Sequence, residues 1–251
     1  MADTARVLTR FFDGIEYRGF EQERVETLAR YATVPVWNGL TNEWHPTQLL
    51  ADMLTMRECA GPNLAGIKLA YLGDARYNMG NSLMLGSAML GLDFRSVGPR
   101  SLWTSDAVFA EAQEICKQTK AVITRTTDIT EGVRDCDFIY TDVWVSMGEP
   151  EDVWAERINL LKPYAVTKEV FAETHNPNCK FLHCLPSFHN RDTTIGEQIY
   201  QRFGLPFMEV SDDIFESDCN AAFLEAENRL HTIKAVMVAT LAEEPITIIN
   251  K

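Results

Sequence analysis

Two short stretches gather the side chains of this sequence most able to do chemistry. FLHCLPSFHN, residues 181–190, holds His183, Cys184 and His189, and HPTQ, residues 45–48, holds His45 and Gln48. Imidazoles beside a thiol could bind a metal ion or activate a cysteine nucleophile. The metal reading needs further ligands at suitable spacing, and nothing nearby supplies them. A Cys-His dyad fails on direction, because adjacent residues on a strand point to opposite faces and His183 cannot easily activate Cys184. Two readings of Cys184 remain: a buried structural cysteine, or a polarizable thiol lining a substrate pocket.

HPTQ says more. His45 stands just before Pro46, at the expected start of a helix, and Gln48 follows on the same face of the first turn. Unpaired backbone N–H groups and the positive helix end would make an anion site there, with two neutral hydrogen-bonding side chains added. A plain capped helix would use the same residues. Arg18, in IEYRG, could clamp a phosphate or carboxylate or form a surface ion pair. In DVWVSMGE, Asp142 and Ser146 lie four apart after an expected strand, a spacing that could grip an ammonium group; Asp142 could equally cap a helix. Asn78 and Asn81, in GDARYNMGNS, could cap a helix or offer amides to a carboxylate, and the glycines there do not make G-x-G-x-x-G. EAENR, residues 225–229, reads as a solvated helical face with Arg229 as the exception.

These residues need elements to carry them. DTARVLTRFF is expected to be helical with Asp3 as N-cap, GIEYRG and VPVWNG extended, and HPTQLLADMLTMREC helical with Leu49, Leu50, Met53, Leu54 and Met56 on one face. The runs IKLAYLG, FRSVG, AVITRT, DFIYTDVW, KFLHCLP and FMEVSD then alternate with helical patterns, and a last helix covers roughly residues 222–242. Strands alternating with helices predict parallel βαβ units: an α/β fold with a doubly wound parallel sheet, preceded by a partial α/β segment. Ligands of such sheets sit at the carboxyl ends of the strands, which is where Asp142 and Cys184 fall.

The formal net charge of −13 argues against a nucleic-acid partner. No apolar run is long enough to cross a bilayer, and the six cysteines contain no C-x-x-C pair. A soluble cytoplasmic protein with reduced thiols is expected.

Taken in order, YRG (17–19), PVWNGLTNEWHPTQLLAD (35–52), GDARYNMGNS (73–82), DFIYTDVWVSMGE (137–149), FLHCLP (181–186) and EAENRLHTIKAVMVATL (225–241) resemble the motifs of the ornithine carbamoyltransferases, along essentially the whole chain. The D-x-x-x-S-M-G segment points to ornithine among related transcarbamylases. The resemblance implies a partial carbamoyl-phosphate domain at 1–57, a full ornithine-binding domain at 58–222, and a C-terminal helix at 223–251 returning to the first. It implies that Arg18, His45, Pro46, Thr47 and Gln48 hold carbamoyl phosphate, bordered by Cys184, Leu185 and Arg229. By the same resemblance His45 polarises the carbamoyl carbonyl, Gln48 orients the carbamoyl amide and Arg229 positions the reacting carbonyl. Asn78 and the backbone of Met147 would take the ornithine α-carboxylate, Asp142 and Ser146 its α-ammonium, and Cys184 with the Leu185 carbonyl would lie beside the δ-amine. L-Citrulline and phosphate are the implied products, with no metal or cofactor, in a homotrimer.

The sequence also departs from that pattern. Family members carry an earlier S-x-R-T phosphate loop and an upstream glutamine, and neither occurs here; Tyr77 stands where asparagine is usual. The expectation is a shortened chain that binds carbamoyl phosphate poorly, since each charge-assisted hydrogen bond contributes about 1.5–3 kcal/mol. The alternatives are a non-catalytic ornithine-binding or assembly remnant, and a sibling enzyme acting on another amine such as putrescine.

Overall fold

A computed structural model describes residues 1–145 and 153–242. Ser146 and Met147 lie outside the described residues. The chain begins with α1 (Ala2–Leu8), β1 (Ile15–Arg18), α2 (Gln22–Tyr31), β2 (Val36–Leu40) and α3 (Pro46–Ala60). β1 and β2 pair in parallel, with Arg18 opposite Leu40 at their carboxyl ends. Next come β3 (Lys68–Leu72), α4 (Asn78–Leu90), β4 (Asp93–Val97), α5 (Asp106–Thr119), β5 (Val122–Thr126), α6 (Ile129–Val133) and β6 (Phe138–Thr141). They are followed by α7 (Trp154–Leu161), α8 (Lys168–Glu173), β7 (Lys180–His183), α9 (Thr194–Phe203), α10 (Asp212–Phe215) and α11 (Ala222–Leu241).

β3 to β7 form a parallel sheet in the order β5-β4-β3-β6-β7. Alternation along each strand sends Leu69, Tyr71 and Tyr140 into one apolar cluster and Ala70, Leu72 and Ile139 into another, so both faces are covered. The order reverses between β3 and β6. That switch, at the carboxyl ends of the two strands, is where sheets of this kind bind their ligands. One flank of it is α4, which packs so close to the preceding turn that a Cβ on Gly80 would lie 2.2 Å from the Ala75 carbonyl oxygen.

Several expectations need correction. Asp3 is not the N-cap of α1; Met1 is, and Asp3 sits in the first turn. FMEVSD forms no strand, only a single bridge from Val210 to Val166 beyond the sheet edge. Leu50 does not join the buried face of α3. That helix is wedged between β2, α4 and α11, so it buries Thr47, Gln48, Asp52 and Thr55 as well as Met53 and Met56. α11 folds back on α3, and its EAENR segment is not a solvated face: Glu225 and Asn228 are buried.

Candidate active site

Pro46 starts α3 because its fixed φ suits the first helical position and its missing N–H costs nothing there. His45 precedes it as N-cap, yet its side chain does not cap the helix. The His45 backbone N–H instead donates to Ser82 Oγ (2.8 Å). Asn78 Nδ2 donates to the Thr41 carbonyl (2.9 Å) and Asn81 Nδ2 to that of Glu43 (3.1 Å). The start of α4 therefore braces residues 41–45 and fixes where α3 begins. In this arrangement the Asn78 amide serves the loop.

Burial, then the charges of Arg229 and Arg18, hold the His45 imidazole down to about 3. It is therefore neutral at physiological pH, a hydrogen-bond donor with no charge of its own. Arg18 ends β1, beside the carboxyl end of β2 that leads to the head of α3, where His45 stands, and Arg229 reaches the same helix head from α11. Arg229 Nη1 donates to Gln48 Oε1 (2.6 Å), and Nη2 reaches Thr47 Oγ1 (3.4 Å). Thr47 Oγ1 donates to the Gly39 carbonyl (3.1 Å), closing the cluster against β2. A guanidinium at a helix N-terminus beside a neutral imidazole, with a second arginine close enough to influence that ring, suits an anion joined to a polarizable carbonyl.

Asp142 and Cys184 meet at the second centre. Each directly follows its strand, β6 or β7, and neighbouring parallel strands bring their ends together. Cys184 Sγ donates to Asp142 Oδ1 (3.2 Å), which also accepts the Val143 N–H (2.7 Å). Burial raises the Asp142 carboxyl. Burial and then the Asp142 charge push the Cys184 thiol well above its ordinary range. Cys184 is a protonated thiol, suited to contact and not to nucleophilic attack. Leu185 adopts left-handed backbone (φ 51°), and its N–H donates to His183 Nδ1 (2.8 Å). His183 is thus buried support for the HCLP loop. His189 stacks on Phe215 with ring centroids 3.7 Å apart, and its Nδ1 contacts Asp212.

The two centres are joined by residues that the sequence reading passed over. Gln48 Nε2 donates to Asp52 Oδ1 (2.8 Å) and Glu225 Oε1 (2.6 Å). Glu225 also accepts from Tyr140 Oη (3.2 Å) and from the His183 backbone N–H (3.0 Å), one residue before Cys184. The signal was present as spacing: Gln48 and Asp52 are one helical turn apart, as are Glu225 and Arg229.

Residues 65–240 match the Asp/Orn binding domain of the aspartate/ornithine carbamoyltransferases, and residues 1–58 match the carbamoyl-P binding domain. Among solved structures, the chain is similar to the ornithine carbamoyltransferase of Pyrococcus furiosus, with 36% identity and a TM-score of 0.85 over 97% of this chain and 71% of that one. The Gloeobacter violaceus enzyme of that name gives 36% identity and a TM-score of 0.81, over 96% and 74% of the two chains. The anabolic ornithine carbamoyltransferase of Campylobacter jejuni gives 30% and 0.84, over 97% and 74%.

Proposed function

From the membership of this chain in the aspartate/ornithine carbamoyltransferase family, we propose that it transfers the carbamoyl group of carbamoyl phosphate to the δ-amine of L-ornithine, giving L-citrulline and phosphate. Arg18 and the head of α3 take the phosphate. His45 and Arg229 donate to the carbamoyl carbonyl oxygen, where negative charge develops as the amine attacks. The neutral δ-nitrogen forms a bond to the carbamoyl carbon, the tetrahedral intermediate loses phosphate, and the proton shed by nitrogen leaves with it. Asp142 and Ser146 hold the α-ammonium and Asn78 with the Met147 backbone the α-carboxylate, while Cys184 and the Leu185 carbonyl border the δ-amine. Holding both ends of the amino acid fixes the third point, the nucleophile, which is how orientation lowers the barrier.

One observation carries this reading: an unbroken line of contacts from Arg229 through Gln48 and Glu225 to the His183 backbone, next to the Cys184–Asp142 pair. It joins a cationic cluster suited to an acyl phosphate to a carboxylate suited to an ammonium. The division into segments 1–57, 58–222 and 223–251 follows the same logic, since α11 returns to α3. Among the described residues no helix is long and apolar enough to cross a membrane. A cytoplasmic homotrimer serving arginine metabolism completes the proposal.

The test is amine selectivity. The purified chain, given carbamoyl phosphate with equal ornithine, aspartate and putrescine, should carbamoylate ornithine at least tenfold faster than either rival. Preference for putrescine would show that the α-amino-acid grip is idle; no product from any amine would support the non-catalytic alternative.

A further inference from the structure

Gln48 is almost completely buried, and its amide has a fixed sense. Both of its N–H bonds go to carboxylates, Asp52 Oδ1 and Glu225 Oε1, which leaves Oε1 as the atom facing Arg229. A flipped amide would set the carbonyl oxygen against two carboxylate oxygens and an NH2 against a guanidinium, losing all three bonds. Asp52 and Glu225 come from different helices, α3 and α11, and both are inaccessible to solvent. Glu225 accepts from Gln48, Tyr140 and the His183 N–H. Asp52 Oδ2 is buried with no donor among the described residues. Burial, the largest influence on each, raises both acids, Asp52 to about 7. Two buried acids from two helices therefore meet at one amide NH2.

We propose that Asp52 and Glu225 are positioning residues that clamp the Gln48 amide with its carbonyl oxygen toward the acyl phosphate, so that the site selects an acyl group bearing N–H. The selectivity half rests on the carbamoyl-transfer reading. A carbamoyl NH2 donates to the clamped Oε1; the methyl of acetyl phosphate cannot, and leaves a buried acceptor without that donor. The clamp itself is a property of the ligand-free chain.

Two substitutions separate clamping from packing. Glu225→Gln has nearly the same shape but one acceptor and one donor where Glu225 offers two acceptors, so it cannot satisfy both Gln48 and the His183 N–H. Asp52→Asn keeps an acceptor for Gln48 and leaves all of Glu225's contacts in place, and serves as the conservative control. In 1H–15N spectra of the ligand-free chain, the Gln48 side-chain NH2 should exchange with water at least tenfold more slowly than exposed glutamines. That protection should survive D52N and be lost in E225Q. The ratio of acetyl phosphate Kd to carbamoyl phosphate Kd should fall at least tenfold in E225Q and stay within about twofold in D52N. A Gln48 amide that exchanges like an exposed one overturns the clamp. An unchanged ratio in a folded E225Q overturns the selectivity. Protection without binding of either acyl phosphate leaves the clamp standing, and overturns both the selectivity and the carbamoyl-transfer reading beneath it.

Discussion

Arg229 on α11 donates a 2.6 Å hydrogen bond to Gln48 Oε1 on α3, joining residues 181 positions apart in sequence at the head of one helix. The contact makes the C-terminal helix part of the first segment's anion site. On the proposed carbamoyl-transfer reading, the same arginine that holds Gln48 turns to the developing oxyanion.

Arg229→Ala should lower kcat/KM for carbamoyl phosphate about 10²–10³-fold, the range found when one oxyanion donor is removed. Steady-state citrulline assays over both substrates measure it. Arg229→Lys should recover little, since a point charge cannot reach Gln48 and Thr47 at once. Full recovery by lysine would show that charge alone matters.

Cys184 should resist alkylation at neutral pH, because its thiol is held protonated beside Asp142. Iodoacetamide followed by peptide mass spectrometry should label the exposed Cys59 first. Cys184→Ala should cost about tenfold in turnover, a contact's worth of about 1.4 kcal/mol, where loss of a nucleophile would abolish activity.

Stability should fall as pH rises from 3.8 toward 7, because Asp52 keeps its proton up to about 7 when folded and its ordinary value is 3.8. Below that window both folded and unfolded chains hold the proton and the contribution is fully present; within it the unfolded chain releases the proton first. His45 acts in the opposite sense on the acid side, its ordinary 6.5 lowered to about 3, so the unfolded chain takes up a proton first as pH drops. Comparing Tm of the parent and Asp52→Asn isolates the first effect. The variant should gain Tm at pH 8 relative to pH 4, and a gain independent of pH would contradict the assignment.

Asn228 seals the packing of α11 on α3, its Nδ2 donating to Thr55 Oγ1 (3.0 Å) and Glu58 Oε2 (2.7 Å). Asn228→Ala should reduce unfolding free energy by about 1–3 kcal/mol in urea titration, the cost of stranding the buried Thr55 hydroxyl. Because Arg229 rides on the same turn, KM for carbamoyl phosphate should rise with it.

Most of the scaffold was legible in the sequence, because βαβ patterning is local. Leu69 to Leu72 alternate between two buried faces, Pro46 announces the head of α3, and Asp142 and Cys184 fall where strands end. FMEVSD looked like a sixth strand because its apolar residues are buried, but Met208 and Val210 pack beyond the sheet edge with no strand to join. The acidic pair was harder. Glu225 read as part of a solvated helical face and Asp52 was passed over, since nothing local says that α11 returns 173 residues later to close over α3; the pairing is a tertiary fact, made by Gln48, which bonds both acids, and by Tyr140. Asn78, singled out from its place near a helix start, also braces Thr41 through its amide, a loop contact that nothing local announces.

The central claim is tested most directly by following citrulline and phosphate together in one reaction of the purified chain with L-ornithine and carbamoyl phosphate, beside Asp142→Asn. The account predicts one citrulline per phosphate, with the variant raising KM for ornithine at least tenfold while KM for carbamoyl phosphate changes little. Phosphate release without citrulline, or a variant that leaves ornithine saturation unaltered, would contradict it.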